Sequence, residues 1–172
     1  MAKSKPSGHP HEQPTFAASS NQSKTMFLKN YTSSVPIDRT VARIEALLAE
    51  FGAKAIGKNY EQGRLTSLTF QLEINGHDVL IRLPANPQAV YDAMRQECKR
   101  PRRGTLEKLK DQSNRTAWRI QQEWLEIELT KIGLNQTEPL QAFLSYIWDG
   151  KQTYFTALKE RSFKGLLPEK CE

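Results

Sequence analysis

Apolar residues recur at helical spacing just after Pro36. Val41, Ile44, Leu47, Leu48 and Phe51 fall on one stripe, and Gly52 follows where a C-terminal cap belongs. The spacing predicts an amphipathic helix. The period then changes to two. Residues 54–60 read as a weak first strand and 61–63 as a turn. Residues 65–74 read as a strand with Leu68, Phe70, Leu72 and Ile74 on one face. Asn75-Gly76 is a strong hairpin signal, because both central residues of a type I′ turn need positive φ. Its two-residue loop sets Leu72 opposite Val79, Phe70 opposite Ile81 and Leu68 opposite Leu83, all on one buried face. The outer face then carries Thr69, Gln71, Glu73, Asp78, Leu80 and Arg82, with Glu73 and Asp78 an unfavourable like-charged pair.

Pro84 stops this strand, and Asn86-Pro87 supplies a cap and a first helical residue. Val90, Tyr91, Met94 and Cys98 form the apolar stripe of a second helix. The run Lys99-Arg100-Pro101-Arg102-Arg103-Gly104 breaks it. Thr105 is expected to cap a third helix that reaches about Ile132 and ends at Gly133, spanning roughly 40 Å. Its second half, with Trp118, Trp124, Leu125 and Leu129, is apolar on more than one side and needs cover. Its first half is polar apart from Leu106 and Leu109 and is expected to project from the body. Glu138-Pro139 opens a fourth helix expected to run through Phe143, Ile147 and Trp148. Asp149-Gly150 is a turn, and Tyr154, Phe155 and Leu158 mark a last short helix, with Phe163, Leu166 and Leu167 folding back onto the core. The pattern predicts an α+β fold: an N-terminal helix, a three-stranded antiparallel sheet, then a helical C-terminal half with one long central helix.

Domain limits follow from composition. Residues 1–30 are rich in Ser, Pro, Lys, Gln and His, too polar to offset their ordering entropy, and are expected to form a disordered tail. Residues 31–167 make a single domain, and 168–172 a frayed C-terminus. The tail lacks the apolar stretch of a secretory signal, and no run approaches the ~20 apolar residues of a membrane span. The expected location is therefore cytoplasmic, with no membrane partner.

The chain carries few chemical motifs. There is no phosphate-cradling glycine loop, no Ser/His/Asp set and no paired catalytic carboxylates. Cys98 and Cys171 form neither a CxxC pair nor a zinc spacing, and two of the three histidines, His9 and His11, lie in the tail. The expectation is a non-enzymatic protein with no catalytic residues, no metal site and no cofactor.

Charge singles out one segment. The chain of 172 residues carries a formal net charge of +6. Between Arg95 and Arg119 stand nine Lys or Arg and three acids, so this segment alone matches the net charge of the whole chain. The candidate phosphate-binding residues are Lys99, Arg100, Arg102, Arg103, Lys108, Arg115 and Arg119. Lys108, Arg115 and Arg119 share one helical face, and contacts of this kind give sequence-independent, salt-sensitive affinity for DNA or RNA. The competing reading is a solvated linker, with Arg115 and Arg119 paired to Asp111 or Glu123 along the helix. Trp118, beside Arg119, stacks on a base in the first reading and fills the core in the second. An alternative function is a protein-interaction module, an inhibitor or adaptor of another protein, presenting Trp148, Tyr154 and Phe155. The helix–strand–strand–strand–helix order matches the outline of double-stranded RNA-binding domains. Asn86-Pro87-Gln88, however, opens the second helix without the lysines those domains use.

Residues from Tyr31 to about Leu158 resemble a family of small uncharacterised proteins encoded by phages, prophages and integrative mobile elements. The resemblance is carried by Tyr31-Thr32-Ser33-Ser34-Val35-Pro36, by Phe70 to Pro84 with the following Ala85-Asn86, by Arg115-Thr116-Ala117-Trp118-Arg119, and by Asp149-Gly150. It implies a mobile-element setting, in which nucleic-acid handling and interaction with host proteins are both common. It carries no catalytic or ligand residue over to this chain.

Overall fold

A computed structural model describes residues 28–98 and 103–163. Expectations that fall on residues 1–27, on Lys99, Arg100 and Arg102, on Leu166, Leu167 and Cys171, and on 168–172 lie outside the described residues.

Helix α1 (Ile37–Glu50) begins directly after Pro36 and buries Val41, Ile44 and Leu48. Gly52, at φ +94°, turns the chain out of it, a conformation that suits glycine. Strands β1 (Ala55–Glu61), β2 (Arg64–Ile74) and β3 (His77–Pro84) form an antiparallel sheet in that order. At the β2–β3 turn Asn75 and Gly76 have φ of 53° and 78°, as the sequence requires for a type I′ hairpin. The expected register follows: Leu72 faces Val79, Phe70 faces Ile81 and Leu68 faces Leu83. Five of these six are buried and Val79 is half-buried.

Asn86 caps α2 (Pro87–Glu97) by accepting the Ala89 N–H at 3.1 Å. The central helix α3 spans Arg103–Gly133, 31 residues and about 46 Å. It starts two residues before Thr105, so Thr105 lies inside the helix and is not its cap. Its first half does not project. α2 packs along it, and Val90 and Met94 close on Ala117 with Leu109 and Leu28 around them. The second half of α3 lies under the sheet. Trp118 and Leu125 are fully buried against Ile44, Leu68 and Phe70. Leu28, Lys29 and Asn30, which composition placed in the tail, join the body.

The fourth helix is shorter than its apolar pattern suggests. α4 (Pro139–Phe143) passes into one 3-10 turn, Leu144–Tyr146, and the chain then extends. Ile147 bridges Ile81, and the Trp148 N–H donates to Leu80 O at 2.8 Å. The segment leaves the helix because the edge of β3 offers backbone partners that a further helical turn would leave unused. Phe143 stays in the core, edge-on to Phe70 and Trp124 with ring centroids 5.7 and 6.1 Å away. Asp149 Oδ1 accepts the N–H groups of Lys151 and Gln152 at 2.7 Å each, and Thr153 caps α5 (Tyr154–Glu160).

Candidate functional site

Among the described side chains, the cations of the basic segment fall into two sets, those of Lys99, Arg100, Arg102 and Arg103 lying outside them. Arg95 at the end of α2, and Lys108 and Lys110 early in α3, are exposed and form no ion pair among the described residues. Arg115 and Arg119 are half-buried and engaged inside the fold. Arg115 Nε donates to Ser33 O at 3.3 Å and Nη2 to Gln112 Oε1 at 2.7 Å. Arg119 Nε meets Glu123 Oε1 at 3.3 Å, and Nη1 donates to Gln122 Oε1 at 3.0 Å. The expected Arg119–Glu123 pair is present. The partners of Arg115 are the Gln112 side chain and the Ser33 carbonyl, not Asp111.

These contacts belong to a larger clamp. Gln112 Nε2 donates to Tyr31 O at 2.9 Å and to Ser33 O at 2.8 Å, and Thr116 Oγ1 donates to Asn30 O at 3.0 Å. Lys29 Nζ reaches Glu123 Oε2 at 2.7 Å. The polar row of α3 therefore holds the segment from Lys29 to Ser33, whose carbonyls have no sheet or helix partner. The Lys29 ammonium, helped by Arg119, holds the Glu123 carboxyl below its ordinary range. Two of the three cations expected to share a phosphate-facing stripe are thus engaged inside the fold, Arg115 by Ser33 O and Gln112, Arg119 by Glu123 and Gln122. Trp118 has no exposed surface, so it cannot stack on a base.

A second cluster lies on the outer face of the sheet. There β2, β3 and the segment after α4 enclose a cleft of about 850 Å³. Thr69 faces Arg82 across the strands, and the Arg82 side chain runs over this face. Its Nε donates to Ser67 Oγ at 3.0 Å, and its guanidinium carbon lies 4.4 Å from the Trp148 ring centroid. Ser67 is 1% exposed, so the hydroxyl that holds Arg82 is fixed within the sheet. Lys151 and Phe155 line the same cleft, Phe155 being 50% exposed, and the exposed Glu61 is the carboxylate on its lining.

Strand alternation puts Arg82 on the outer face and Trp148 is a candidate contact aromatic, but no local pattern shows that they meet. Lys151 carried no signal at all. Among the described residues no three His, Cys, Asp or Glu side chains gather closely enough to hold a metal ion. Among them also, no helix is long and apolar enough to cross a membrane. No family model, curated protein or solved structure matches the chain, so the reading of its surfaces rests on its own side chains.

Proposed function

We propose that the chain is a non-enzymatic, cytoplasmic accessory protein of a phage or mobile element that binds nucleic acid largely through phosphate contacts. The contacts come from the segment joining α2 to α3. One observation carries this reading: Arg95, Lys108 and Lys110 stand exposed and unpaired among the described residues, on a segment whose +6 equals the charge of the whole chain. Lys99, Arg100, Arg102 and Arg103 belong to the same charge run. Arg115 and Arg119 support the surface by fixing α3 and its clamped segment, and contribute less to phosphate contact than their position suggests.

Polarisation titrations against short DNA and RNA, single- and double-stranded, at about 50 and 200 mM salt test the reading. Affinity should fall with salt, and each exposed cation replaced by Gln should flatten the logarithmic salt slope by about 1. Absence of binding at the lower salt, or binding indifferent to Lys108→Gln with Lys110→Gln, would end it.

The exposure of Tyr154 and Phe155, 44% and 50%, favours a second reading, a protein-interaction module. Its test is a partner captured from host extract by the parent protein and lost with Tyr154→Ser and Phe155→Ser.

A further inference from the structure

The Arg82 guanidinium is held on two sides. Its Nε is engaged by a buried hydroxyl and its guanidinium carbon sits over an indole ring, 4.4 Å from the centroid, while neither terminal nitrogen has a hydrogen-bond partner among the described residues. A planar fork fixed in this way is pre-organised for a bidentate oxyanion and loses little entropy on binding one. Nothing inside the fold uses it: Arg82 forms no ion pair among the described residues, unlike Lys54, Lys58 and Arg119. Lys151 adds a second cation on the lining and Glu61 one opposing carboxylate, so the cleft favours an anion. Phe155 offers a half-exposed ring beside these charges. An oxyanion site next to an open aromatic face matches one unit of a single nucleic-acid strand, with its phosphate on the fork and a base on the ring. Duplex DNA keeps its bases stacked and cannot present that combination.

We infer that the Arg82–Trp148–Phe155 cleft is a single-strand subsite, taking one phosphate on the Arg82 fork and an unstacked base against Phe155. The inference rests on the nucleic-acid reading above and deepens it, separating a strand-selective cleft from the salt-sensitive α2–α3 junction. An acidic peptide would present carboxylates to the same fork. The strand is favoured because the half-exposed ring asks for a planar apolar partner beside the anion.

The test uses the full chain and a fluorescent oligothymidylate of about ten nucleotides, with a duplex of the same length as comparison. Arg82→Lys keeps the charge but not the fork. Phe155→Ala and Lys151→Gln alter exposed side chains and leave the core intact. Arg82→Lys and Phe155→Ala should each weaken single-strand binding on the order of tenfold. Duplex affinity should change by less than about twofold, since the junction supplies it. Lys108→Gln with Lys110→Gln should weaken both ligands. If the cleft variants leave single-strand affinity unchanged while the junction pair still lowers duplex binding, the subsite is overturned and the nucleic-acid reading stands. If neither ligand binds, both fall. Single-strand binding unaffected by Phe155→Ala, together with an acidic peptide bound through Arg82, would assign the cleft to a protein partner and overturn the inference.

Discussion

Arg82 lies over Trp148, its guanidinium carbon 4.4 Å from the ring centroid. The contact joins the outer sheet face to the extended segment that follows the 3-10 turn. It stabilises that segment as well as shaping the cleft. A double-mutant cycle of Arg82→Gln and Trp148→Leu, read by urea denaturation, should give a coupling of about 0.5–2 kcal/mol. Additive single effects would mean that the backbone bonds at Ile147 and Trp148 hold the segment alone.

Arg115 belongs to the clamp on residues 29–33, so its removal should cost stability and not only affinity. Arg115→Ala is expected to lower the unfolding free energy by about 1 kcal/mol, and Gln112→Leu, which strips donors from two carbonyls, by about 1–3 kcal/mol. Amide exchange just before α1 should quicken in both. An Arg115→Ala protein as stable as its parent would return that guanidinium to the solvent-facing set.

Acid should loosen the same clamp. The folded-state pKa of Glu123 is lowered from 4.5, first by the Lys29 ammonium. Its contribution is therefore complete above pH 4.5 and is lost as pH falls through the lower folded value. Lys29 is largely solvated, so the effect should stay under about 1 kcal/mol. Stability followed from pH 7 to pH 3 should decline less in Glu123→Gln than in the parent. Parallel curves for the two proteins would show that this carboxylate is not part of the acid response.

Lys54 resolves the like-charged pair across the hairpin. Its Nζ lies 2.6 Å from both Glu73 Oε2 and Asp78 Oδ1. Asp78 raises the Lys54 pKa above 10.5, and Lys54 in turn lowers that of Asp78 below 3.8. The bridge is thus complete between those two values. It fades as pH falls below 3.8 through the depressed Asp78 value, and as pH rises above 10.5 through the raised Lys54 value. Lys54→Met should lower the melting temperature at neutral pH, and adding Asp78→Asn should restore part of it. A double variant no better than the single one would show that repulsion between the carboxylates is not what Lys54 relieves.

Trp118 anchors α3 under the sheet. Trp118→Phe should be tolerated better than Trp118→Ala, which is expected to cost about 3–5 kcal/mol by leaving a cavity. Thermal unfolding ranks the two, and equal small losses would show that the site collapses around the missing ring.

Local rules account for what could be read from the chain. A helix after Pro36, a type I′ turn at Asn75-Gly76 with its register, and the Asn86-Pro87 helix start each depend on a few neighbouring residues, and the structure has all three. Three expectations missed because a distant partner intervened. Apolar spacing continued the fourth helix through Ile147, but the open edge of β3 drew Ile147 and Trp148 into extended backbone. Polarity suggested that the front of α3 would project, but Val90 and Met94 of α2 cover it. Charge pattern put Arg115 and Arg119 on a ligand-facing stripe, but the unpartnered carbonyl of Ser33 and the carboxylate of Glu123 claimed them.

The α+β order, the hairpin register, the buried face of the sheet and the place where positive charge accumulates are all legible in the chain. These follow from side-chain period, turn chemistry and composition, which act over a few residues. Which of the described cations stay unpaired, and the meeting of Arg82 with Trp148 in the cleft that Phe155 lines, arise only when the elements pack together. Such pairings depend on through-space distances between elements far apart along the chain, which no local pattern encodes.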